Sequence, residues 1–194
     1  MSKKFSEKFI IALTIVLRWN SPIHAQTLMH DFEILFERCR VSVETNSAFN
    51  IDGLQPRDVS KRQTRKWGID TAQEAWIAPD SNLYVVLTEW TDHDGTIRHI
   101  CDVHPADEEY RLDPEEQVRL MQHFLTKQAE LIGFGTHAID TGLTPLPPLI
   151  SAAFLMSERN PNGCIVSNNI AVLPDGTLFS AGSGEQAIRR CEHE

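Results

Sequence analysis

Positive charge is scarce in this sequence. Its 194 residues hold 18 Lys and Arg against 27 Asp and Glu, a formal net charge of -9. That balance disfavours nonspecific binding to nucleic acid or anionic membranes, both of which reward a positive field. No nucleic-acid partner is expected. Long apolar runs are lacking too: Phe9 to Leu17 is too short to cross a bilayer core. No stable membrane span is therefore expected in the mature chain. Cysteine is limited to four residues, with no Cys-x-x-Cys pair, which excludes a thioredoxin-like redox motif and the usual paired-cysteine zinc spacing. His-Glu-x-x-His, a calcium loop, a Gly-x-Ser-x-Gly elbow and a P-loop are all absent. The glycines around Ser183 in "SAGSGEQ" lack the lysine of a phosphate loop. No cofactor or metal is expected on these grounds.

What is present begins with a basic amino terminus, Lys3, Lys4 and Lys8, followed by the short apolar run and by Ile23-His24-Ala25. This pattern reads as a secretory signal peptide over residues 1–25, cut after Ala25, with 26–194 as a single exported domain in the periplasm or the medium. Cleavage removes four basic residues (Lys3, Lys4, Lys8, Arg18) and one acid (Glu7), which moves the net charge from -9 to -12. Hydrophobic residues make up 41% and charged ones 23%, enough for a real core that disulfides reinforce rather than replace.

Helical periodicity opens the mature chain. Leu28, Phe32, Leu35, Phe36 and Cys39 share one stripe. A polar region follows, from about Glu44 to Asp70, with five positive charges in ten residues: Arg57, Lys61, Arg62, Arg65 and Lys66. Such a cluster in an acidic protein is a candidate docking surface for a partner, or a solvated segment that offsets nearby acids. "EAWIAP", "LYVVLTEW" and "TIRHICDV" read as strands, the last two joined at Asp94-Gly95. A second helix starts at Asp113-Pro114 with Glu116 completing a capping box. Val118, Met121, Phe124, Leu125 and Ile132 are its expected buried face, and Gly133 and Gly135 its terminators. After the proline-rich "GLTPLPPL", three further strand-like segments follow: "SAAFLMSE", "CIVSNNIAVL" and the run from Thr177.

The layout predicts an α+β fold: two helices on one face of a mainly antiparallel sheet of five to six strands. It also suggests a duplicated α-β-β-β unit. Leu83 precedes Asp94 by eleven positions and Cys164 precedes Asp175 by eleven, and both tips read Asp-Gly-Thr plus an apolar residue.

The segment Thr96 to Glu109 concentrates reactive residue types: His99, Cys101, Asp102 and His104, with His93 just upstream. Strand alternation puts Ile97, His99, Cys101 and Val103 on one, inward face, and Arg98, Ile100, Asp102 and His104 on the other, outward one. A metal site on the His93–His104 hairpin would need a bulge. A disulfide needs none, because Cys39 lies on the apolar stripe of a helix and Cys101 on the apolar face of a strand. Cys39–Cys101 is therefore the expected first bridge, and Cys164–Cys191 the second by elimination among three pairings.

Asp140-Thr141-Gly142 resembles the active-site tripeptide of pepsin-like and retroviral-type aspartic proteases, whose chemistry pairs two such carboxylates. A single copy implies that a dimer supplies the second. The likeness covers the tripeptide, and Leu143 stands where that family carries Ala or Ser. The plainer reading is a turn with Gly142 at positive φ. Trp76 and Trp90 suit sheet packing or an aromatic ligand platform. The expected function is a non-enzymatic module that binds an unidentified protein or small ligand. The alternative is a hydrolase using Asp140 and His137, or a metal-dependent site on the hairpin. Convergence of His99, His104, His137 and Asp140 in one pocket separates the two.

Overall fold

The computed structural model describes residues 22–67, 69, 72, 74–91, 95, 97–106, 111–139, 151–172 and 178–185. The chain runs α1 (Pro22–Thr45), β1 (Gln55–Pro56), α2 (Lys61–Trp67), β2 (Glu74–Ala78), β3 (Leu83–Thr91) and β4 (Ile97–Pro105). It continues α3 (Pro114–Gly133), β5 (His137–Ile139), β6 (Ser151–Arg159), β7 (Ile165–Val172) and β8 (Leu178–Glu185). All strands join one antiparallel sheet in the order β1-β2-β3-β4-β8-β7-β6-β5. Six strands have five residues or more, and the edges β1 and β5 have two and three.

α1 forms because its stripe is continuous. Leu28, Phe32, Leu35, Cys39 and Val43 recur at three- and four-residue steps and are all buried. The helix packs chiefly on β4 and β8, the centre of the sheet. It ends in a Schellman cap: Asn46 takes a positive φ of 49°, and the Ser47 amide donates to the Ser42 carbonyl at 2.9 Å. Cys39 and Cys101 are fully buried and joined by a disulfide with a Cα separation of 5.2 Å. The expected first bridge thus fastens the middle of α1 to β4. Cys164 is also disulfide-bonded; its expected partner Cys191 lies outside the described residues.

α3 starts as its capping box dictates. The Glu116 amide donates to Asp113 Oδ1 and the Asp113 amide to Glu116 Oε2, each at 2.8 Å. Its buried face differs from the expected one. Phe124 is buried and Met121 partly buried as expected, but Val118, Leu125 and Ile132 are exposed at 54%, 50% and 36%, and Leu120, Gln128 and Leu131 are buried in their place. The helix carries apolar residues on two neighbouring columns, and contact with α1 chooses between them. The Phe36 and Phe124 rings meet at 5.6 Å, which places α3 beside α1 on the same face of the sheet.

The opposite face is also covered, which corrects the expected outward orientation of the second set on β4. His104 is 2% exposed and Arg98 is fully buried. Trp67, at the end of α2, stacks on the His104 ring with centroids 4.4 Å apart and planes 9° apart. Ile69, Tyr84 and Val86 complete this smaller core. The polar region after α1 thus folds back through a short helix whose last residue is an apolar anchor.

A shift of 81 residues carries the β1–β2 and β2–β3 pairings and the loop end of β3–β4 onto β5–β6, β6–β7 and the loop end of β7–β8, and register shifts at Met156/Arg159 and Ala171/Val172 put the remainder of the second half one residue out of step. Pro56↔Trp76, Glu74↔Leu87, Ala75↔Val86 and Thr91↔Ile97 become His137↔Ser157, Leu155↔Asn168, Met156↔Ser167 and Val172↔Leu178, all of them observed pairs. The central pair Ile100↔Gly184 maps onto Val103↔Ala181, so the axis relating the halves runs between β4 and β8. The repeated Asp-Gly-Thr tips, Asp94-Gly95-Thr96 and Asp175-Gly176-Thr177, are 81 residues apart. Each half supplies a long helix, a short edge strand and a three-strand meander, and the first half adds the short helix α2. The helices depart from this relation: α1 sits on the sheet centre, and α3 contacts β5 and β6.

Candidate functional site: a cavity at the end of α1

α1 stops at Thr45 while β3 runs on to Thr91, so the sheet extends beyond the helix that covers it. The register lays out what is uncovered. Trp76 pairs with Val85, Glu74 with Leu87, Leu87 with Cys101 and Glu89 with His99. By alternation these side chains share the face that carries α1. The face therefore passes, row by row, from apolar residues under the helix to Glu89 and His99 beyond it. The loop after α1 bends over this ground. Arg38 holds it by donating to the Asp52 and Asn50 carbonyls at 2.8 and 3.3 Å, and Phe49 stacks on Trp76 with ring centroids 5.6 Å apart.

Between helix end, loop and sheet is a cavity of about 480 Å³. Val43, Phe49, Ile51, Trp76 and Leu87 give it apolar walls, and Glu74, Glu89 and His99 line it as well. Its size and its mix of apolar walls with a few polar groups are those of small-molecule sites.

A buried polar cluster stiffens the wall behind His99. Glu185 is 5% exposed. Its Oε1 accepts from Asn160 Nδ2 at 2.6 Å and Asn162 Nδ2 at 3.2 Å, and its Oε2 accepts from the His99 amide at 2.8 Å. His99 Nδ1 lies 3.2 Å from the same Oε2, and Nε2 lies 3.7 Å from Glu89 Oε1. Asn160 Nδ2 also donates to the Val43 carbonyl at 3.1 Å, and Asn46 Nδ2 to Asn162 Oδ1 at 2.9 Å. The turn before β7, the end of α1 and β8 are thus tied together at one buried carboxylate. A buried carboxylate with this many donors is satisfied. Sequence reading singled out Ser183 but missed Glu185, two residues further on. Its signal was the alternation Ala181, Ser183, Glu185.

A second hollow of about 220 Å³ lies between α1 and α3. Its charges are engaged with each other. Arg40 pairs with Glu37 and Glu44, Lys127 is 3.9 Å from both Glu37 and Glu130, and His123 is 3.4 Å from Glu33. Burial works against the Glu37 carboxylate, but the Arg40 hydrogen bond and charge outweigh it and hold its pKa below the usual value. The Glu37 hydrogen bond raises Arg40 in turn, against the cost of its own burial.

The expected site residues are dispersed. His99 borders the cavity on the α1 face, and His104 lies on the other face under Trp67. The β3–β4 register is unbroken from Leu83↔Pro105 to Thr91↔Ile97, so the bulge that a shared metal would need is missing and the two histidines face apart. His93 lies outside the described residues, among which no group of three or more His, Cys, Asp or Glu is arranged to hold a metal. His137 is elsewhere, at the β5 edge, with Nε2 2.7 Å from Glu44 Oε1 and Nδ1 2.8 Å from Thr136 Oγ1. Asp140 lies outside the described residues. Of the basic cluster, Arg57, Lys61, Arg62 and Arg65 are exposed; the Lys66 side chain lies outside the described set. Trp76 lines the cavity, whereas Trp90 is 41% exposed and sits by alternation on the opposite face of β3. No helix among the described residues is long and apolar enough to cross a membrane.

The fold class is α+β, with two helices on an antiparallel sheet, and the buried disulfide is compatible with an extracellular location. No model of a known protein family matches the chain, and no curated protein matches it.

Proposed function

We propose that this chain is an exported, non-enzymatic binding module whose small ligand occupies the cavity at the end of α1. The supporting observation is the cavity itself, about 480 Å³ with an aromatic pair in its wall. The histidines that a hydrolytic site would gather stand apart. Export, to the periplasm or the medium, accounts for the leader-like residues 1–25 and for the buried bridge. Intact mass of the natively exported protein, before and after thiol alkylation, should show a chain starting at Gln26 with no free thiol; a full-length product alkylated at four thiols would overturn export. The basic patch of Arg57, Lys61, Arg62, Arg65 and Lys66 remains the proposed docking surface for any protein partner.

The site is tested with a small-molecule mixture followed by NMR. Bound molecules should shift the Trp76 indole and the His99 amide. Ala48→Trp, which plugs the exposed rim, should abolish those shifts. Shifts that survive the plug would place the ligand elsewhere.

A hydrolase is the second reading, because Thr136, His137 and Glu44 form a hydroxyl–imidazole–carboxylate chain. It requires faster hydrolysis of p-nitrophenyl acetate by the wild type than by Thr136→Val. Equal rates would end it.

A further inference from the structure

Resting on the cavity reading above, we propose that the ligand class is an organic cation: a protonated or quaternary amine on a flat apolar body. Four features converge on this class. First, the lining carries two carboxylates, Glu74 and Glu89, and no Lys or Arg among the described residues. They are diagonal neighbours on one sheet face, since Glu74 pairs with Leu87, two residues before Glu89. Second, α1 delivers its carboxyl end here with no basic residue in its last turn. The last carbonyls are capped by the Ser47 amide and Asn160, but no cationic side chain of the helix offsets the partial negative charge of its C-terminus. Third, the Phe49–Trp76 stack, 9% and 8% exposed, lines the inner wall with the aromatic surface its mutual packing leaves open, which suits the flat apolar body of such a ligand. Fourth, His99, the one imidazole among the described lining residues, is already engaged by Glu89 and Glu185 and so is not open to an anionic ligand.

An anionic ligand meets the opposite conditions. Its charge would sit beside two carboxylates and a helix C-terminus, with no guanidinium or ammonium to receive it. A neutral ligand gains only the apolar walls. The acidic chain as a whole, at net charge -9, also concentrates cations near its surface.

The test uses three probes with one body and three charges: phenethylammonium, 2-phenylethanol and phenylacetate. Each is titrated into the full exported chain at pH 7.5 and followed at the Trp76 indole. Phenethylammonium should bind about tenfold more tightly than 2-phenylethanol, and phenylacetate more weakly still. Raising the salt should weaken the cation selectively, because the carboxylates are at an open rim. Glu74→Gln with Glu89→Gln should lower the affinity for phenethylammonium several-fold more than that for 2-phenylethanol. Equal binding of all three probes, abolished by Ala48→Trp, would overturn the cation assignment and leave the cavity standing. If no probe gives a shift that Ala48→Trp abolishes, the cavity reading falls with it. The probe ranking and its salt dependence are read on the wild type, and Ala48→Trp is scored only with a circular dichroism spectrum and urea midpoint matching the wild type.

Discussion

Asp102 offers the sharpest test of the electrostatics. Its side chain lies on the sheet face away from α1, with Val86 and Gly182 as cross-strand neighbours. No described residue gives it a hydrogen bond or an opposite charge, and burial pushes its carboxyl up from 3.8 to about 7. The folded protein therefore holds a proton between about pH 4 and pH 7 that the unfolded chain has released. Proton linkage then makes stability fall as pH rises through that window. At about 1.4 kcal/mol per pH unit the ceiling is roughly 4 kcal/mol. The side chain keeps some exposure, so a working value of about 1–3 kcal/mol is appropriate. Asp102→Asn keeps the shape and abolishes the charge. It should match the wild type near pH 4 and exceed it by that amount at pH 8. Urea unfolding of both proteins at pH 4.5, 6 and 8 reads the difference, and the histidines common to both cancel. A gap that stays constant with pH, or one that narrows as pH rises, would refute the reasoning.

Three further outcomes follow from packing and geometry. Gly182→Ala would place a Cβ 1.9 Å from Asp102 Oδ1 and 3.1 Å from the Cys101 carbonyl; it should destabilise by about 1–3 kcal/mol, and Asp102→Ala in the same chain should recover part of that loss in thermal unfolding. Replacing Cys39 and Cys101 together by Ala opens a loop with a sequence separation of 62; chain entropy predicts a loss of roughly 4 kcal/mol, measured as a lower urea midpoint, and an unchanged midpoint would contradict it. Asp113→Ala removes the reciprocal cap of α3 and should cost about 1 kcal/mol, with the helical circular dichroism of the folded state retained.

Much of the frame was legible because it rests on local periodicity. The stripe through Leu28, Phe32, Leu35 and Cys39 marked α1 and its buried sulfur, and the Asp113–Glu116 pattern marked the start of α3. Strand alternation put Cys101 on the face that meets α1, so the first bridge could be deduced from two local patterns. The Asp-Gly tips hinted at a repeat, yet its extent was visible only in the pairings. Few side chains repeat because each half packs against different neighbours.

The remainder depended on which elements meet. Periodicity placed Phe124 correctly but not the margins of the buried face of α3, where Leu120 and Leu131 are buried and Val118 and Ile132 exposed. Polar alternation on β4 suggested a solvated face, until Trp67 arrived from a distant segment to cover His104. Glu185 was not singled out in the sequence, yet it is the buried acceptor for Asn160 and Asn162. By itself the sequence determined helix, strand, cap and the faces of its sulfurs, since each follows from spacings of two to four residues. Only the tertiary structure decided where α1 ends relative to β3, and so the cavity with its carboxylates, because that depends on contacts between residues far apart in the chain.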